Sequence, residues 1–145
     1  MQQLQREGIE FLITHFESGQ LPKSEWTHQA HIIVAFWYNW HYSFAEALER
    51  VRQGIIAYNE AVGTPNTDDS GYHETLTVFW MRLARSFLQR NQSNSLENAC
   101  TAFLESEDAL KTSPFTYYSR ELLFSKHARK EWVEGDLQEV PEVSD

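Results

Sequence analysis

Ile32-Ile33-Val34-Ala35-Phe36-Trp37-Tyr38 is the stretch on which the fold turns. Its β-branched and aromatic residues favour a strand. The flanking periodicity and the length of the pattern favour a helix instead, from about Thr27, a good N-cap residue, to about His41. Such a helix is apolar on nearly all sides, so it belongs at the centre of an all-α domain. The run is far shorter than the ~20 residues that span a bilayer.

The surrounding sequence continues the helical pattern. Leu4, Ile9, Leu12, Ile13 and Phe16 recur at helical spacing and predict a first helix near residues 3–17, closed by Gly19 and Pro22. Ser43-Phe-Ala-Glu46 is a capping box that opens a helix to about Ala61, with Gly63 at its end. Residues 63–71 read as a loop. A fourth helix runs from near His73 to near Arg90, with Leu76, Phe79, Trp80, Leu83, Phe87 and Leu88 on its buried stripe. Asn94 or Ser95 caps a fifth, near 95–106. Ser113-Pro114 opens one helix or two reaching about Glu134. The expected architecture is one bundle-like domain of five to seven helices over residues 1–137. An acidic, weakly ordered tail, 138–145, follows.

Composition narrows the function. The 145 residues carry a formal charge of −9, and six of the acids lie beyond the last base, Lys130, leaving −3 for residues 1–130. There is no basic stripe for nucleic acid, and an acidic body disfavours an anionic membrane. The N-terminus lacks the basic-then-apolar order of a signal peptide. The single Cys100 forms no intramolecular bridge and reads as an inert core thiol, so the chain is expected in the cytoplasm. Aromatic residues make up 14% of the chain, enough to supply both a core and a pocket lining.

Two short boxes carry the chemistry: Trp26-Thr27-His28-Gln29-Ala30-His31 and Gly71-Tyr72-His73-Glu74-Thr75-Leu76-Thr77. Each falls where a helix begins. His28 and His31 are three apart and share a helix face. With His73 from the second box they would form a three-histidine site for a divalent ion, zinc or iron, with an open position. Asp68 or Asp69 with two of the histidines would instead give the two-His-one-carboxylate set of non-haem iron. The spacing does not choose between these sets.

Glu74 diverges from its neighbour His73 by about a hundred degrees on a helix. It suits a general base, a partner to a ligand, or a capping carboxylate. His73-Glu74-x-x-Thr77 is not the zinc-protease motif, because Thr77 stands where the second ligand belongs. Tyr72 joins Glu74 as a candidate catalytic residue, while Trp26, Thr77 and Trp80 are candidate substrate contacts. The competing interpretation is structural: the histidines cap helices and bond to carbonyls, and the box around His73 satisfies free N–H groups. Arg82 and Arg85, three apart, and Arg120 are expected to form surface ion pairs rather than an anion site. The string from Tyr117 to Leu123 is aromatic enough to pack back and close a pocket.

Three function classes follow: a metal-binding protein or metal-dependent enzyme acting on a small molecule, a metal-free small-molecule binding module, and a structural or interaction domain, for which a homodimer is the natural partner.

Trp26-Thr-His-x-x-His31, Gly71-Tyr-His-Glu-Thr-x-Thr77 and the segment Tyr117-Tyr-Ser-Arg to Trp132 together resemble a family of small, all-helical bacterial proteins. The likeness spans most of residues 4–137. It implies a compact helical domain and singles out the two histidine boxes, and it brings no mechanism with it.

Overall fold

In a computed structural model, which describes residues 3–144, the Ile32–Tyr38 run is helical and lies at the centre of the molecule. It belongs to α2 (His28–His41), which packs against α1 (Arg6–Glu17), α3 (Phe44–Ala61), α4 (Glu74–Arg90) and α5 (Leu96–Leu104). With helices on several sides, α2 can bury a run that has no polar face. Six of the seven residues of the run are buried, Trp37 being partly exposed. The surrounding helices each offer one apolar stripe: Ile9, Ile13 and Phe16 from α1, Phe79, Met81 and Leu83 from α4, Leu96, Cys100 and Phe103 from α5. Each such side chain contributes about 1.5–3 kcal/mol on burial. Phe36 meets Phe103 at 5.1 Å and Phe87 at 6.0 Å, centroid to centroid.

No strand occurs among the described residues, and the domain is all-α. None of its described helices is long and apolar enough to cross a membrane. Gly54 explains how α1 approaches α3 so closely. A Cβ there would meet the Phe16 ring at 3.1 Å. Burial pushes the Cys100 thiol up to about 12, so it is held protonated in the core.

The principal departure from expectation lies after residue 106. A 3-10 turn covers Glu107–Ala109, and the stretch read as one or two helices is three short ones: α6 (Pro114–Tyr117), α7 (Arg120–Leu123) and α8 (Lys126–Lys130). Serine cuts the chain into these pieces. Ser119 Oγ accepts from Leu122 N and Ser125 Oγ accepts from Ala128 N, so each starts a new helix where the last one stops. The segment beyond α8 has no helix but packs on the body. Tyr118 donates to Val133 O at 2.6 Å, Val140 is 2% exposed, and Gln89 reaches Ser144 O at 2.7 Å.

The arginines are not organised as expected. Arg85 Nε donates to Asn39 Oδ1 and its Nη2 to Tyr42 O, closing the end of α2. Arg82 lies 4.3 Å over the Trp132 ring, and Arg120 sits over Phe115 and Phe124. Aromatic faces and carbonyls receive them.

Candidate ligand cavity

The first histidine box is built by a helix cap. Thr27 is extended and its Oγ1 accepts from Ala30 N at 3.2 Å, so α2 begins at His28 and presents His28 and His31 in its first turn. His31 Nδ1 donates to Thr27 O at 2.7 Å, and its ring lies 3.8 Å from that of Trp26. His28 Nε2 donates to Ala109 O at 2.7 Å, tying α2 to the turn before α6, while Trp80 from α4 meets its ring at 5.0 Å. A carbonyl only accepts, so in each ring the nitrogen beside it carries hydrogen. The opposite nitrogens, His31 Nε2 and His28 Nδ1, make no hydrogen bond among the described residues.

The second box starts from a glycine. Gly71 has φ +78°, and a Cβ there would lie 2.3 Å from Pro65 O and 2.6 Å from Asn66 Oδ1. This turn delivers Tyr72 and His73 to the start of α4. His73 is itself the N-cap: Nδ1 accepts from Leu76 N at 3.1 Å, while Nε2 donates to Leu123 O at 2.8 Å. Both ring nitrogens are thus engaged within the protein. The capping role weighed for this box is realised, with the imidazole rather than Thr75 or Glu74 as the cap. Thr75 instead faces inward, fully buried, donating to Glu131 O and accepting from Val133 N.

The two boxes face one cavity of about 790 Å³ between α2, α3, α4 and the segment from Lys111 to Phe124. Trp26, His28, His31, Tyr72, His73, Thr77 and Trp80 all lie on its wall. Of the site residues selected from sequence, Glu74 does not, nor do the alternative ligands Asp68 and Asp69. The Glu74 carboxylate is gripped by Arg52 of α3, at 2.9 Å from Nε and 2.6 Å from Nη2, and accepts from Tyr72 OH at 2.5 Å. Burial works to raise the Glu74 carboxyl, but the Arg52 fork and the Tyr72 hydroxyl outweigh it, holding it below its usual range. Burial and then the bond to Glu74 push the Tyr72 hydroxyl up, so it stays protonated. A carboxylate so occupied positions Tyr72 rather than abstracting a proton. Asp68 and Asp69 are not on the wall, and Asp68 pairs with Lys130 at 3.1 Å.

Electrostatics further define the chemistry. Burial above all lowers His31, to about 4, with His28 and Lys111 adding to the effect against the Thr27 bond. His31 is therefore neutral near pH 7, with an unprotonated Nε2. A general base working near pH 7 is best matched by a pKa near 7. At about 4, His31 is suited to accepting a hydrogen bond rather than to taking a proton. His73 is also lowered, chiefly by burial. Among the described residues, no group of three His, Cys, Asp or Glu side chains is arranged to hold a metal ion.

Several wall residues had no motif to reveal them. Tyr58 and Asn59 come from α3, Lys23 from the 3-10 turn Lys23–Glu25, and Lys111, Phe115 and Phe124 from the short-helix segment. Of the string Tyr117–Leu123 only Leu123 reaches the wall; the rings there belong to Phe115 and Phe124, which flank it, whereas Tyr118 donates to Val133 O. In comparisons with known proteins, no family model, no curated protein and no solved structure matches the chain.

Proposed function

We propose that the protein binds a small, largely apolar molecule in this cavity and holds it by a hydrogen bond donated to His31. One observation carries the reading. His31 lies on a predominantly apolar wall with one nitrogen tied to Thr27 O and the other without a hydrogen-bond partner among the described residues. A cavity of about 790 Å³ falls within the roughly 300–1,000 Å³ of small-molecule sites, which combine apolar walls with a few placed polar groups. Tyr58, Trp26, Trp80, Leu76 and Ile55 supply the apolar surface. The test is a thermal-shift screen of small hydroxyl- and N–H-bearing aromatic compounds in the presence of a chelator. Compounds that stabilise wild type should lose that effect in His31→Phe, which keeps a ring against Trp26 but removes the acceptor. A hit set unchanged by His31→Phe overturns the reading.

A second reading is a metal centre of zinc or iron on His28 and His31. Metal-ligating imidazoles commonly donate their other N–H to a carbonyl, as both of these do. His73 would have to surrender Leu76 N or Leu123 O to join them. Remaining positions would therefore fall to water or to the bound molecule. Held by His28 and His31, a divalent ion would supply Lewis-acid activation of water for hydrolysis. Elemental analysis of purified protein distinguishes the two readings. Near-stoichiometric metal that is lost in both His28→Ala and His31→Ala supports this one, and full thermal stability in chelator with no metal overturns it.

A further inference from the structure

The charge around the cavity runs against the charge of the chain. Acids outnumber bases by 21 to 12. Yet the cavity wall includes Lys23 and Lys111 and no aspartate or glutamate. Two more cations stand behind that wall. Arg120 lies over the Phe124 ring at 5.6 Å, and Arg129 Nη1 donates to Gly71 O at 2.9 Å. Phe124 and Gly71 are themselves wall residues. Two of the twelve bases therefore line the cavity, and two more contact its wall residues from outside.

Most nearby acids are occupied or act elsewhere. Glu74 is gripped by Arg52, and Asp68 pairs with Lys130. Asp108 is felt at Tyr117, which is not on the wall, whereas Glu25 is felt at the wall residue Tyr58 and offsets part of the positive charge there. Among the described residues, no ion pair engages Lys23 or Lys111. The cavity also lies at the starts of α2 and α4, since their caps Thr27 and His73 are on its wall. Those helix ends add positive potential to what the side chains supply.

From this we infer that the natural ligand is amphipathic, with an apolar, hydrogen-bond-donating body between the tryptophans and a single anionic head at the Lys23–Lys111 mouth. The inference rests on the small-molecule reading above. A clamped anion in the apolar depth would face buried, neutral imidazole and ring surfaces. At the mouth it keeps part of its hydration and gains two ammonium groups. Flexible lysines suit a head group held by charge rather than by a fixed fork. The contribution should be screened by salt, because both lysines are exposed.

Matched probes test the head group separately from the cavity. Calorimetry would compare 4-(4-hydroxyphenyl)butyrate, 4-(4-hydroxyphenyl)butanol and 4-(4-hydroxyphenyl)butylamine, which share a phenol body able to donate to His31 and differ in the head. 3-(4-Hydroxyphenyl)propyl phosphate as a second anion separates carboxylate from phosphate preference, and either preference supports the inference. The carboxylate should bind roughly tenfold more tightly than the alcohol at low salt, with the margin shrinking at high salt. The double variant Lys23→Met/Lys111→Met should lose that margin while binding the alcohol as before. Leu76→Trp, checked for helicity by circular dichroism, should weaken binding of all of them because the larger indole narrows the cavity. Alcohol or amine binding as tightly as both anions overturns the anionic head but leaves the cavity reading in place. Anion preference that persists in the double variant also overturns it. Binding undiminished in Leu76→Trp, or no probe binding wild type, overturns both.

Discussion

His73 and Leu123 are joined across fifty residues by one hydrogen bond, from imidazole Nε2 to the main-chain oxygen at 2.8 Å. The other nitrogen of the same ring caps α4 through Leu76 N. A single side chain therefore starts a long helix and anchors a short one. His73→Ala removes a cap, costing about 1 kcal/mol. It also leaves the Leu123 carbonyl without its partner in a buried setting, costing about 1–3 kcal/mol more. Urea denaturation should show a total loss of about 2–4 kcal/mol, and a loss within experimental error would contradict the bridging role.

Acid should destabilise the fold before its carboxylates titrate. His31 is lowered to about 4 and His73 is lowered from 6.5, both chiefly by burial, so both are neutral in the native state near neutral pH. The unfolded chain takes up these protons near pH 6.5. Between 6.5 and about 4 the unfolded state thus binds more protons, and stability falls as pH falls. The slope is up to about 1.4 kcal/mol per pH unit for each histidine. Melting temperature should be flat above pH 7 and fall below 6.5, with a shallower fall in His31→Phe. An identical acid profile in that variant would refute the assignment.

The Arg52–Glu74 pair should behave as a brace between α3 and α4. Its side chains are 29% and 13% exposed, less open to water than the Arg50–Glu46 pair at 51% and 53%. Breaking it leaves a half-buried charge and also frees Tyr72 OH. A double-mutant cycle with Arg52→Met and Glu74→Gln should give a coupling of about 1–2 kcal/mol, against a few tenths for Arg50 and Glu46. Equal couplings for the two pairs would show that burial has no bearing on either.

Thr75 should control the segment beyond α8. Its hydroxyl donates to Glu131 O at 2.8 Å and accepts from Val133 N at 3.2 Å. Thr75→Val keeps the shape and removes both bonds, at about 1–3 kcal/mol. Hydrogen exchange should accelerate at Val133 and through the segment to Val140, while the α2 amides stay protected. Uniform acceleration across the chain would mean that Thr75 stabilises the whole fold rather than this segment.

The order of these elements was largely legible in the residues. Thr27, Ser43 and Ser95 accept from the third residue on, and α2, α3 and α5 begin directly after them. The run Ile32–Tyr38 was legible as a helix because its neighbours share the helical period. The division of residues 113–130 was not, although Ser113, Ser119 and Ser125 recur every six residues. A period of six that restarts the chain leaves no stripe long enough to recognise. The cavity was half legible. Histidines and tryptophans stood out by type, whereas Lys23 and Lys111 are ordinary surface residues in sequence, and only the way α2, α4 and the short helices meet gives them a common address. The partner of Glu74 was not legible, because nothing local signals that Arg52, on another helix, lies opposite it.

The three serine-started helices have a consequence for how the cavity is bounded. Pieces of four or five residues are far below the length at which a helix sustains itself in water. Their order is borrowed from the body, through burial of Tyr117, Tyr118 and Leu123 in the shared core and through ties such as Leu123 O to His73 and Arg129 to Gly71. The four long helices α1 to α4 gain their order from the shared core and have no such dependence. The molecule therefore has a hard side and a soft side, and the cavity lies along the seam.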